Sequence, residues 1–312
     1  MDIRYLEIQI LLQQRAETTA RLNLIPYDGS IEIKDRDEKK YIYIRKRVLG
    51  RYTSTYIDSY SDELFASISK LLKDAKEYKK EIRKINIELA KLGYSPQYLL
   101  PRVLLNIDFA RANMKSNIYD QAILEGIATT FPDTETIIEN GKVSGMTATD
   151  VQKILNLKHA WEFIMDKDAV ASKTSYSILC YIASLVNEGF YTYGGRIRSV
   201  PVSIGGTTYV PPMPIEFVVE EKIEEILNKK EEPADIAIEL CLYCMKTQIF
   251  NDGNKRAAVI FANHFLISKG AGLLVIPENR VSEFKKLLVL YYEDRDNGEI
   301  LEFMKTYCWK KF

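Results

Sequence analysis

Between residues 234 and 267 the chain carries two apolar runs of helical pattern, 234–245 and 257–267. A short polar stretch separates them, and its centre reads Asp252-Gly253-Asn254-Lys255-Arg256. Such a pattern places a polar loop at the start of the second helix. A helix start leaves several backbone N–H groups without partners. The helix dipole adds positive potential at the same end, so the loop suits an anion, usually a phosphate. Lys255 and Arg256 add charge, the arginine as a bidentate fork. Asp252 is the natural seat for a magnesium ion bridging phosphate oxygens. An ordinary Asn/Asp/Gly turn with a solvated basic pair would use the same five residues, and the pentapeptide alone leaves both readings open.

The rest of the composition narrows the class. The chain has 312 residues, 46% hydrophobic and 28% charged, enough for a sizeable core in one or two domains. Lys+Arg 43 and Asp+Glu 43 cancel to a formal net charge of +0. No global charge then draws the chain to nucleic acid or to a membrane, and nucleic acid is disfavoured as a partner. The cysteines, at 180, 241, 244 and 308, make no disulfide framework. Cys241 and Cys244 form a C-x-x-C in a helical pattern without a second ligand pair, which reads as buried thiols. The N-terminal residues lack the long apolar stretch of a signal peptide. No run reaches the ~18 apolar residues of a membrane span. The expected setting is cytoplasmic.

Along the chain, residues 1–22 are helix formers. Residues 40–48 alternate apolar and basic side chains, Leu49-Gly50-Arg51 turns them, and residues 52–57 return as a second strand. A hairpin alone is marginal, and a long charged helix over 62–92 is its candidate support. The charges of that helix read as a solvated face. Gly93-Tyr94-Ser95-Pro96 breaks the helix, giving domains 1–95 and 96–312. Beyond it, helices are expected at 101–124, 149–165, 172–188, 215–228, 281–292 and 299–307, with a polar loop at 129–145. Two short β runs around Gly205-Gly206 read as a small hairpin.

These segments, in this order, resemble the Fic/Doc (Fido) family, whose signature is H-x-F-x-[DE]-G-N-G-R-x-x-R. This chain reads Gln248-x-Phe250-x-Asp252-Gly253-Asn254-Lys255-Arg256-x-x-Val259. Lysine at the second-glycine position is the form seen in the kinase-like Doc branch. Arg196-Ile197-Arg198 through Ile204-Gly205-Gly206 to Pro211-Pro212 resembles the family's flap. Residues 116–130 resemble the inhibitory segment [ST]-x-x-x-E-[GN], with Glu125-Gly126 kept. The resemblance covers roughly 97–312. It implies a mainly α fold, a Fic-type helical core with a small β-hairpin flap, here preceded by a small α+β domain. It also implies ATP or another nucleotide with Mg2+ as cofactor, and a protein target with an exposed hydroxyl or extended segment as partner. Position by position, it implies that Phe250 pins the loop and Asp252 holds magnesium. Gly253, Asn254, Lys255 and Arg256 would line the nucleotide phosphates. Ile197, Val202 and Ile204 would meet the target by strand addition, and Glu125 would have an inhibitory role.

Three departures bear on activity. The family's histidine, which takes the proton of the attacking hydroxyl, is Gln248. An amide cannot accept a proton near neutral pH, and a general base contributes about 10²–10⁴ in rate. The glycine is Lys255. The last arginine, partner of the inhibitory glutamate, is Val259, and Gln121 replaces the Ser/Thr of the inhibitory segment. His159 and His264, the chain's two histidines, read as structural. The expectation is a degenerate protein adenylyltransferase that keeps a phosphate site and binds a target. An active AMP- or phosphate-transferase without the histidine is one alternative, since such transfer rests heavily on positioning. An interaction module with a vestigial pocket is the other.

Overall fold

The computed structural model describes residues 3–95 and 99–312. Met1 and Asp2 lie outside the described residues, as does Pro96 of the expected boundary. The chain divides into two compact units, 1–96 and 97–312.

The first unit holds helix α1 (Ile3–Asn23), strands β1 (Ser30–Arg36), β2 (Lys39–Val48) and β3 (Arg51–Ser59), and helix α2 (Asp62–Lys91). The strands form one antiparallel sheet in the order β1-β2-β3. β1 was not anticipated. Its alternating Ile31 and Ile33 are a two-residue signal in a charged segment, and the register that pairs Ile31 with Ile44 and Ile33 with Ile42 supplies the rest. Ser61 caps α2 by accepting a hydrogen bond from the Leu64 amide at 3.1 Å, with Asp62 and Glu63 favourably placed in the first turn. Ile68 and Leu72 of α2 bury Ile42 and Ile44 of β2, joined by Leu64, Phe65 and Ile31. The sheet is thus covered on one face. Both hairpins turn through two residues with positive φ, Asp37-Glu38 and Leu49-Gly50, the geometry that matches strand twist. Leucine is ill suited to that left-handed position, and Leu49 is fully exposed. Leu49→Asn is therefore expected to stabilise the unit by roughly 0.5–1 kcal/mol, read as a raised urea midpoint of the far-UV circular dichroism signal.

The second unit is helical. Its elements are α3 (Pro101–Leu124), α4 (Phe131–Ile138), α5 (Ala148–Ile164), α6 (Lys167–Ala171), α7 (Tyr176–Val186), α8 (Glu216–Leu227), α9 (Pro233–Thr247), α10 (Asn254–Lys269), α11 (Val281–Tyr292) and α12 (Glu299–Phe303). A two-stranded antiparallel pair, β4 (Leu273–Leu274) with β5 (Trp309–Lys310), ties the chain's end to the core. The mainly α expectation holds. The expected polar loop at 129–145 is corrected by α4. Thr130 caps that helix through the Asp133 amide, and Ile137 and Ile138 are its buried face. The turn-forming residues at its start hid it.

Helix α10 is the centre of the unit, buried from Ala257 to Ile267. His264 sits inside it. Its Nδ1 lies 3.0 Å from the Thr174 hydroxyl and its Nε2 2.8 Å from the Ala169 carbonyl, so the ring is a structural bridge. Burial pushes its pKa down to about 4, which keeps it neutral. Among the described residues, no helix is long and apolar enough to cross a membrane.

Candidate functional site

The loop between α9 and α10 is held from three sides. Helix α9 ends at Gln248, whose backbone is left-handed at φ 49 and ψ 61. For a non-glycine residue that conformation is disfavoured, and it persists where surrounding contacts fix it. Gln248 makes those contacts itself. Its Nε2 donates to the Met245 carbonyl at 2.6 Å, and its Oε1 accepts from Asn254 Nδ2 at 3.1 Å. Asn254 turns inward too. Its Oδ1 accepts from the Phe250 amide at 2.9 Å, and its Nδ2 donates to the Phe250 carbonyl at 2.8 Å. Phe250 is buried beneath them. The two amide side chains therefore close a loop around a buried aromatic ring.

Gly253 has φ 73, and a Cβ there would meet Asn187 Oδ1 at 2.7 Å, so only glycine fits. Asn187, at the end of α7, donates to the carbonyls of Asp252 at 2.9 Å and Gly194 at 3.1 Å. No motif marked Asn187; its place at a helix end beside two glycines was the only trace. The first turn of α10 has no side-chain cap, which leaves its leading amides available to an anion.

Arg256 is 1% exposed. Its Nη1 donates to the Val186 carbonyl at 2.9 Å and its Nη2 to Asp252 Oδ2 at 3.1 Å. Its Nε lies 3.5 Å from Glu125 Oε2, while Lys255 Nζ lies 3.6 Å from Glu125 Oε1. Both Arg256 Nε and Glu125 Oε1 are buried without a hydrogen-bond partner. The carboxylate thus stands at the cationic start of α10, close to two positive groups and tightly bonded to neither. Gln121, one turn earlier on α3, fixes that approach. It donates to the Arg256 carbonyl at 2.9 Å and accepts from the Trp161 indole at 3.1 Å. Burial, and then the charge of Lys255, lower the pKa of Lys285 on α11, which joins it to the same electrostatic neighbourhood.

The structure thus brings together Gln248, Asp252, Gly253, Asn254, Lys255, Arg256 and Glu125. It turns the side chains of Asn254 and Arg256 inward, the first onto the Phe250 backbone and the second onto Val186, Asp252 and Glu125. Asp252 is half-exposed at 47%. Among the described residues, no group of three or more His, Cys, Asp and Glu side chains is placed to hold a metal. A lone, accessible carboxylate fits a magnesium ion that keeps most of its waters and is carried chiefly by ligand phosphates.

The flap segment lies next to this loop. Arg198 is buried; its amide donates to the Ile249 carbonyl at 2.9 Å and its Nε to the Gln248 carbonyl at 2.6 Å. Its Nη1 reaches the Val200 carbonyl at 2.9 Å, and its Nη2 reaches those of Pro211 at 3.2 Å and Pro212 at 2.5 Å. One guanidinium thereby gathers the two arms of the flap. The arms turn at Gly205-Gly206 without forming ladder strands, since Pro201, Pro211, Pro212 and Pro214 lack the amides a ladder needs. Ile197, Val202 and Ile204 are half-buried, while Val200 and Val210 are the exposed apolar residues. The far end is latched to α11: Glu293 Oε1 accepts from Thr207 Oγ1 at 2.8 Å and from the Thr208 amide at 3.2 Å, and Tyr209 stacks on Tyr292.

No curated protein matches the sequence. Among solved structures, a Fic domain-containing signaling protein from Bacteroides thetaiotaomicron is similar at TM-score 0.54 and 19% identity, over 67% of this chain and 86% of that one. A Fic family protein from Desulfovibrio desulfuricans is similar at TM-score 0.52 and 18% identity, over 68% and 73%. These likenesses concern the fold. The Fic/DOC family model matches residues 173–266, the span that runs from just before α7 through the flap and α9 into the last turn of α10. The flap, the loop and the buried helix behind them are thus one Fic/DOC-family domain.

Proposed function

We propose that the chain binds a phosphate-bearing nucleotide at the start of α10 and a protein target along the flap, and that AMP transfer from ATP is weak or absent. The observation that carries this is Gln248. Its amide is engaged at both ends, by Met245 and by Asn254, and an amide cannot take up a proton near neutral pH. The retained half of the site supports binding: uncapped helix amides, Lys255, and Asp252 as the one carboxylate for Mg2+. When bound, the magnesium would offset phosphate charge, and the leading amides of α10 would meet the phosphates. An extended target segment, which adds as a strand, would meet the flap along 202–206, between the prolines of its two arms. Glu125 competes for the anion position and holds nucleotide affinity down.

The test is a calorimetric titration of the full chain with ATP and Mg2+. Glu125→Gln removes the competing charge and keeps the shape, so it is expected to bind about tenfold more tightly, or ~1.4 kcal/mol. No heat from either protein would remove the nucleotide site. Incubation with labelled ATP and lysate is expected to label nothing. A labelled band that disappears in Asp252→Ala would put an active transferase in place of this reading.

A further inference from the structure

The sheet of the first unit has a second face, and the strand register defines it. Arg36, Lys34, Glu32 and Ser30 of β1 lie opposite Lys39, Tyr41, Tyr43 and Arg45 of β2. On the other side, Tyr43, Arg45 and Arg47 lie opposite Tyr56, Ser54 and Tyr52 of β3. This face carries Tyr41, Tyr43, Tyr52 and Tyr56 among Lys34, Arg36, Lys39, Arg45 and Arg47, against the single carboxylate of Glu32. Glu32 is already paired, with Lys34 Nζ at 3.3 Å and the Ser54 hydroxyl at 2.5 Å. The opposite face is the one packed on α2, where Ile42 and Ile44 are buried. Tyr52 and Tyr56 are 62% and 51% exposed.

The aromatic and cationic groups are interleaved. The Arg45 guanidinium lies 3.9 Å over the Tyr52 ring, and Lys34 Nζ lies 4.5 Å over Tyr43. Tyr56 meets Tyr43 edge-on, ring centres 5.6 Å apart. Same-face residues on a strand recur about every 6.6 Å. Rings and cations thus lie side by side across an open antiparallel surface. A hydrophobic protein partner would want apolar side chains here, and this face has none in its rows. A strand with splayed bases and a phosphate backbone matches both components at once: bases stack on rings and guanidinium planes, and phosphates meet the surplus cations.

We propose that this face is a platform for single-stranded nucleic acid. The balanced charge of the whole chain does not bear on it, because Glu32 is the one carboxylate in the rows of this face against five cations. Lys46, on the covered face, is neutralised by Asp28 at 2.6 Å and adds nothing to the platform. The proposal is independent of the nucleotide loop, and Asp252→Ala should leave it untouched.

The experiment is fluorescence anisotropy of the full chain with labelled oligouridine and oligothymidine of about 12 nucleotides, within the usual site sizes, and with a duplex of equal length. Both single strands, or one of them if the 2′-hydroxyl matters, should bind more tightly than the duplex. The logarithm of the binding constant should fall against that of salt with a slope of about −3 for four surplus cations. Tyr52→Ala and Tyr56→Ala should each weaken binding about tenfold with the slope unchanged, while Tyr52→Phe, which keeps the ring, binds as before. Joint Arg45→Gln and Arg47→Gln should flatten the slope by about 1.4. If circular dichroism shows an alanine variant unfolded, the slope of the exposed arginine pair decides. Absence of binding, equal binding of the duplex or of polyglutamate, or indifference to both tyrosines would overturn the proposal.

Discussion

Arg256→Met is expected to destabilise the second unit by about 3–5 kcal/mol and to abolish nucleotide binding. The guanidinium is almost fully enclosed and answers to three acceptors: the Val186 carbonyl, Asp252 and, more loosely, Glu125. Removing a buried cation costs more than its own bonds, because the anions left behind stay enclosed without compensation. Glu125, only 14% exposed at its side chain, bears most of that penalty, with Lys255 alone to answer it. Asp252 is half-exposed and recovers part of its loss from water. Urea unfolding followed by tryptophan fluorescence isolates the effect, because both tryptophans, Trp161 and Trp309, belong to the second unit. Pairing Arg256→Met with Glu125→Gln should recover part of the loss. A decrease below ~1 kcal/mol in the single variant would mean that the helix start is held by its backbone, with the ion cluster incidental.

Arg198→Met is expected to release the flap while leaving the helical core largely intact. Hydrogen bonds from a charged donor contribute about 1.5–3 kcal/mol each, and this side chain serves the carbonyls of Gln248, Val200, Pro211 and Pro212. Because the arms have no ladder between them, no second set of bonds keeps them together. Limited proteolysis within 199–212 should accelerate at least about tenfold, since cleavage of a locally opened segment tracks its opening equilibrium. Glu293 would still hold Thr207 and Thr208, so the tip should stay docked longer than the base. Unchanged cleavage would show that the latch at α11 suffices.

The helices that were legible in the sequence have punctuated ends. Pro101 and Pro233 stand in first turns and Gly270 closes α10, and their residues state a boundary without tertiary help. Helix α4 carries such marks in Thr130 and Pro132, but before so short a helix they read equally as a turn, and strand β1 offers only two isoleucines until β2 pairs with it. At the loop, Gly253 and Asp252 could be read directly, because a backbone requirement and an accessible charge are properties of one residue. The inward turn of Asn254 and Arg256 could not, because it depends on Phe250, Val186 and Glu125 being where they are. The net charge is silent on local surfaces: it sums over faces that point in different directions, and the tyrosine-and-arginine face of the first sheet vanishes in the sum.

Gln248 has a consequence in hydrogen-bond valence. The position offers one acceptor, the Met245 carbonyl, and one donor, the Asn254 amide, and glutamine answers both with separate atoms. A neutral imidazole also has one N–H and one lone pair. Engaged by the same two neighbours, it would have no lone pair left for an incoming proton. Clamping the loop and serving as a base are therefore competing uses of one side chain. A histidine installed here would gain basicity only by letting go of α9 or of Asn254, so any regained chemistry would come with a looser turn.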